Sequence, residues 1–227
     1  VILRSTVNPN DKEAFVNVLA ESYRADGIEP VIIEYQGNLL SADMESLAAN
    51  PAARYMIIPS GGSLQEFNKV AYVLRAFRDR MIASASENGM VSPDRNVAIV
   101  GYPDWTAFRG EALDLLHKLE ATVYSRFFDN FLGFEAKNIA SEFRRWFGSS
   151  PVESLPCYGI LGFDTGSYLI RNLRVNGGMF SPIAPASFSG IQSTFEFGRE
   201  SQDTGYANKA LYLIHYQPSG RVSAQVI

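Results

Sequence analysis

Three times along this chain an unbroken apolar run stops at a short polar loop containing glycine and gives way to a helical pattern. The segments are Arg54-Tyr-Met-Ile-Ile-Pro-Ser-Gly-Gly-Ser63, Asn96-Val-Ala-Ile-Val-Gly-Tyr-Pro-Asp-Trp105 and Cys157-Tyr-Gly-Ile-Leu-Gly-Phe-Asp-Thr-Gly166. A strand that is apolar on both faces has to be covered on both faces, which restricts the chain to a parallel sheet flanked by helices. In such sheets ligands gather at the carboxyl ends of the strands, so the polar loops after the three runs mark the expected ligand edge.

The remaining pattern agrees with an α/β; three-layer α/β/α architecture. Val1-Ile-Leu begins a strand, Asn8-Pro-Asn-Asp11 makes a turn, and Asp11 is placed to cap a helix carrying Phe15, Val18, Leu19 and Tyr23 at i, i+3, i+4 spacing, ended by Gly27. Val31-Ile-Ile reads as a second strand, Ser41 as the cap of a short helix, and Tyr55-Met-Ile-Ile58 as a third strand. Ser63 caps a long helix with Leu64, Phe67, Val70, Ala71, Leu74 and Phe77 on one face. Pro93-Asp94 turns into the strand Val97–Val100, a helix is expected over Thr106–Leu119, and Ala121–Phe128 is strongly β-prone. The β-α-β order requires right-handed crossovers between parallel strands.

Asp129-Asn130 and Gly133 then read as a crossover into a second unit. It contains a helix over Glu135–Phe147, a strand at Tyr158-Gly-Ile-Leu161 and a helix over Ser167–Leu173 ended by Asn176-Gly-Gly178. After that, Ser193–Phe197, Leu211–Tyr216 and Val222–Val226 alternate in the manner of antiparallel strands, with Pro218-Ser-Gly220 as a turn.

Composition narrows the function classes. The 227 residues are 46% hydrophobic and 19% charged, enough for a full core, and the net charge of −4 comes with scattered rather than clustered Lys and Arg. Nucleic acid is therefore not an expected partner, since a phosphate backbone demands a concentrated basic footprint. The single Cys157 excludes an intrachain disulfide, and no apolar stretch approaches the roughly 20 residues needed to span a bilayer. The opening residues, an apolar strand with no leader, read as the start of a piece cut from a larger protein.

Chemistry-bearing residues are few. Pro59-Ser-Gly-Gly-Ser63 puts two glycines before a helix N-terminus, where backbone N–H groups face an anion, but it carries neither Gly-Lys-Ser/Thr nor a complete Gly-x-Gly-x-x-Gly. It is either a ligand loop or a plain strand-to-helix turn. Gly101-Tyr-Pro-Asp-Trp105 combines two rings and a carboxylate, suited to an amphipathic ligand with a cationic group; alternatively Trp105 packs on the following helix and Asp104 caps it. Asp164 reads as a helix cap or as a hinge carboxylate. His117 and His215 lack partners at metal-ligand spacing, Ser60 and Ser167 sit in no nucleophile elbow, and Glu135, Glu142, Arg144 and Arg145 read as a solvated helix face. No metal, cofactor or catalytic residue is expected.

The succession of strands and helices, with Ile57-Ile-Pro-Ser-Gly61, Val97–Trp105, Tyr158–Gly166 and Phe188-Ser-Gly-Ile-Gln-Ser-Thr-Phe-Glu-Phe197, resembles the two-lobed type I periplasmic binding proteins. More closely it resembles a Bacteroidetes branch of amino-acid ABC transporter substrate-binding-like proteins that often carry peptidoglycan-binding LysM repeats. The resemblance implies that residues 1–125 form the second lobe, 126–185 the returning part of the first lobe and 186–227 a C-terminal β segment, with the N-terminal part of the first lobe absent. It implies ligand contacts at Arg4, Ser5 and Asn8 after the first strand, at Ser60 and Gly61, and at Tyr102, Asp104 and Trp105. The implied partner is a small molecule, namely an amino acid, peptide or cell-wall fragment, in a periplasmic or cell-envelope setting, with no enzymatic activity. A cell-wall or membrane protein and a second copy of the chain are further candidate partners. A scaffold or regulator of peptidoglycan synthesis with a vestigial cleft, and an enzyme on the same sheet, remain as alternatives.

Overall fold

In the computed structural model, residues 1–7, 11–50, 52–89, 96–128, 134–152 and 154–227 are described. The expected turns at Asn8-Pro-Asn10 and Pro93-Asp94 and the crossover at Asp129-Asn130 and Gly133 lie outside them. By their contacts the described residues divide into two units, Val1–Tyr124 with His215–Ser223, and Ser125–Ile214 with Ala224–Ile227.

The first unit is built on parallel strands β1 (Ile2–Ser5), β2 (Ile32–Tyr35), β3 (Tyr55–Pro59), β4 (Val97–Gly101) and β5 (Thr122–Ser125), laid side by side in the order β2-β1-β3-β4-β5. Registers such as Leu3 opposite Ile33 and Pro59, and Ile57 opposite Ile99, bring the most apolar positions into line. Leu3, Ile57 and Ile99 are fully buried, as expected for strands covered on both faces. Successive strands are joined by helices α1 (Glu13–Ala25), α2 (Glu45–Ala48), α3 (Leu64–Glu87) and α4 (Glu111–Leu119). The chain steps from β1 to β2 in one direction and from β3 to β4 and β5 in the other. With right-handed crossovers, α1 therefore lies on one face of the sheet and α3 and α4 on the other.

Local sequence explains most boundaries. Ser63 accepts the Glu66 N–H at 3.2 Å as the N-cap of α3, and Phe67, Val70, Leu74 and Met81 turn one stripe of that helix into the core. Asp11 does not cap α1, which starts behind Lys12 without a side-chain cap; its carboxylate is used elsewhere. Leu40 rather than Ser41 stands at the N-cap of the turn before α2, its N–H bound by Asp43. The expected helix from Thr106 is split into a 3-10 turn over Pro103–Ala107 and α4, because Gly110 sits at φ +58° between them. A strand β10 (Tyr212–Tyr216) carries its last residues into this unit, where the Tyr216 N–H donates to Ala121 O. The turn after it closes through Gln217 N–H to Arg221 O.

The second unit carries α5 (Phe134–Phe147) and α6 (Tyr158–Val175). The strand expected at Tyr158–Leu161 is the first turn of α6, so the third apolar run is helical. Its buried positions Ile160, Asp164, Tyr168 and Asn172 repeat every four residues, and two of them are polar. Those polar groups bind loop backbone. Asp164 accepts from the N–H groups of Ile191, Gln192 and Ser193 at 2.8, 2.9 and 3.0 Å, and Asn172 pairs with the Ser181 backbone. Gln192 returns the favour at the start of α6, accepting from Cys157 N at 3.0 Å and donating to Cys157 O at 2.7 Å. A loop without its own ladder satisfies its buried amides in this way.

Two short antiparallel pairs follow, β6 (Phe188–Ser189) with β7 (Thr194–Phe195) and β8 (Phe197–Gly198) with β9 (Ala207–Asn208). The Tyr168 ring stacks on Phe195 and Phe197 at 5.0 and 5.6 Å, forming a small aromatic core. The final strand β11 (Val222–Val226) ends in reciprocal bonds between Leu211 and Ile227, an antiparallel signature. Among the described residues, no helix is long and apolar enough to cross a membrane.

Candidate functional site

The strand order of the first unit contains one place where the direction of winding reverses, between β1 and β3. At that switch point the loops leaving neighbouring strands diverge to opposite faces and open a crevice beyond the carboxyl ends, the usual ligand position in open α/β sheets. Here Asp11 and Lys12, just before α1, border the loop after β3. Lys12 N–H donates to Ser60 O at 3.1 Å, and the Asp11 carboxylate accepts the Gly62 N–H at 2.8 Å.

The charged groups converge on the same spot. Lys12 Nζ stands 2.6 Å from Asp104 and 3.5 Å from Asp11, and 5.5 Å from the centre of the Tyr102 ring. The hydrogen bond that Lys12 donates to the Asp104 carboxylate raises the Lys12 pKa above its ordinary value, with burial opposing it. The Asp104 side chain is 56% exposed and that of Lys12 26%, so this ion pair faces water and can exchange partners. Two carboxylates against one ammonium leave the spot acidic.

The sequence-derived candidates divide into floor and rim. Trp105 is fully enclosed, its ring 4.8 Å from Phe67 and its indole N–H on Gly62 O at 3.0 Å. Tyr102 is also fully buried, its hydroxyl donates to Pro59 O, and burial pushes its phenol pKa well up. These rings therefore present no open face; they hold the β3 and β4 loops together from below. Ser60 donates its hydroxyl to Leu3 O at 2.8 Å and is fully buried, and Ser5, at the end of β1, is buried as well. Gly61 has no room for a side chain, since a Cβ would lie 2.7 Å from that of Glu66.

Arg4 is turned toward α1, 3.5 Å from Glu13 and 3.1 Å from Asn17 Oδ1. Asn8 lies outside the described residues. Of the candidates, Asp104 reaches the rim, where it meets Lys12. Asp164 is not the cap of a helix beginning near Ser167; it sits inside α6 and fastens the loop at residues 191–193.

Sequence reading missed Lys12, Asp11 and the Phe15–Tyr124 pair, whose rings stack at 5.4 Å with 23° between their planes beside Tyr102. The available signal was topological: once β1 and β3 are neighbours, the residues just before α1 must border the Ser60–Gly62 loop. His117 and His215 serve the chain's return to this unit, His117 Nδ1 bonding Gln217 O at 2.7 Å and His215 Nδ1 lying 3.3 Å from Thr122 Oγ1. Among the described residues no group of three His, Cys, Asp or Glu side chains is arranged to hold a metal ion.

The chain is similar to solved structures of substrate-binding proteins. One is an ABC transporter substrate-binding protein from Desulfitobacterium hafniense in complex with Leu, 16% identical over 99% of this chain and 59% of that one, with a TM-score of 0.44. Another is an amino acid ABC transporter substrate-binding protein from Pseudomonas fluorescens Pf-5, 12% identical over 100% of this chain and 57% of that one, with a TM-score of 0.40. The chain thus spans less than two thirds of the length of either. No protein-family model and no curated protein matches it.

Proposed function

We propose that the chain is the ligand-holding part of a non-enzymatic, exported binding or sensing protein. Its ligand would be a small amphipathic molecule bearing an ammonium group, held at the β1/β3 switch point. The observation that carries this reading is the Lys12, Asp11 and Asp104 cluster at that point, exposed and acidic in sum. An incoming ammonium can take the place of Lys12 on the two carboxylates, and the freed Lys12 can then meet a ligand carboxylate. A phosphate-rich ligand fits poorly, because the amide at the entrance to α3 already binds the Asp11 carboxylate and a second anion would face repulsion. The likeness of the strand-loop segments to type I periplasmic binding proteins points the same way, and a cell-envelope setting belongs to the same proposal.

A melting-temperature screen against amino acids, dipeptides and muropeptides tests it. A ligand at about 100 times its Kd stabilises the folded form by about 2.7 kcal/mol, a rise of several degrees. The proposal expects such a rise with at least one ammonium-bearing compound, its loss on N-acetylation of that compound, and its loss in Asp104→Asn. A screen in which nothing raises the melting temperature contradicts it.

A further inference from the structure

Lys12 and Phe15 stand three positions apart at the start of α1, a spacing that puts both side chains on one side of its first turn. Lys12 meets Asp11 and Asp104, whereas Phe15 meets rings. The Phe15 ring stacks on Tyr124 at 5.4 Å and stands nearly perpendicular to Tyr102 at 5.8 Å. Tyr102 is in turn 5.5 Å from Lys12 Nζ, so ammonium and phenyl ring adjoin the same neighbour. Tyr124 borders the charges as well. Its phenol pKa is raised chiefly by burial, and it feels the Lys12 ammonium, which lowers it, and the Asp104 carboxylate, which raises it.

In this arrangement Phe15 is 40% exposed, while Tyr102 is fully buried. An exposed apolar side chain needs no explanation by its position on the surface alone. What singles out Phe15 is its company. An ionic anchor beside an incompletely covered aromatic stack is the combination that holds an amphipathic cation, the charge fixing one end and the ring area the other.

Resting on the ammonium site proposed above, we infer that Phe15 and Tyr124 set its specificity, forming an apolar platform that selects ligands whose ammonium is joined by a short linker to an aromatic ring. The ligand ammonium takes the Lys12 position on Asp104, and the ligand ring covers the exposed part of Phe15. A ligand with a small side chain leaves that surface in water. One with a second carboxylate has to dehydrate it against a phenyl ring beside Asp104, which opposes binding.

Calorimetric titration of the 227-residue chain with phenethylamine, ethylamine, phenylalanine and alanine tests this. Each aromatic compound is expected to bind at least about tenfold more tightly than its ringless counterpart. Phe15→Ser should bring the two members of each pair together, and Phe15→Tyr should keep them apart. Because the reading is a ratio within one protein, a change in folding stability cancels. In the parent, nuclear Overhauser contacts should join the phenethylamine ring to Phe15 and Tyr124. Binding of all four compounds with no preference for the ring overturns this inference and leaves the ammonium site standing. A ring preference that survives in Phe15→Ser, or ring contacts elsewhere in the chain, overturns it too. Failure of every ammonium compound to bind removes the ammonium site and this inference together.

Discussion

Trp105 shows how a residue chosen for its chemistry can be a packing residue instead. Its indole is enclosed and its N–H satisfied by Gly62, and Gly101 is glycine because a Cβ there would run into the Trp105 ring. Trp105→Ala should cost about 3–5 kcal/mol, read as a lower urea midpoint for the first unit. Gly101→Ala should cost about 2 kcal/mol through overpacking, measured in the same way. Lys12→Met should behave oppositely, shifting stability by less than about 1 kcal/mol because its ion pair is exposed, while changing ligand binding. In the second unit, buried Asp164 accepts three backbone N–H groups. Asp164→Ala orphans three amides and should cost about 3 kcal/mol, with hydrogen exchange accelerating at Ile191, Gln192 and Ser193.

Elements were legible wherever core positions were apolar. The runs Tyr55–Ile58 and Val97–Val100, and the stripe Phe67, Val70 and Leu74, announced strands and a helix because each buried position carried an apolar side chain. Ser63, too, was readable as a cap, and Ser63→Ala should cost about 1 kcal/mol in thermal unfolding. The start of α6 was not legible. Asp164 and Asn172 occupy core positions that a hydrophobic pattern expects to be apolar, and the glycines at 159, 162 and 166 lower its helix propensity. What remained, Ile-Leu flanked by glycines, has the composition of a short buried strand. The rim of the candidate site was hidden for a different reason. Asp11 and Lys12 gain meaning only when β1 and β3 are adjacent, a long-range pairing that no local pattern encodes.

At the scale of the whole molecule, buried tyrosines set the response to alkali. Tyr35 is pushed up to about 12, chiefly by burial and then by the charge of Glu66, and Tyr102 and Tyr124 are raised as well. A phenol whose folded pKa exceeds the unfolded value of about 10 contributes stability that is complete below pH 10 and lost as the pH climbs toward the folded value. Thermal unfolding should therefore hold its midpoint from neutral pH to about pH 10 and then fall, with tyrosinate absorbance rising late and together with unfolding. The same first unit gathers Asp11, Lys12 and Asp104 at the reversal of strand order. The most direct measurement is an amide-resolved NMR titration with whichever ammonium-bearing compound raises the melting temperature. The account predicts the largest shifts at Lys12, Gly61, Gly62 and Asp104, and their absence in Asp104→Asn. Shifts centred on the amino ends of the strands or elsewhere in the chain, with those four amides unmoved, would contradict it.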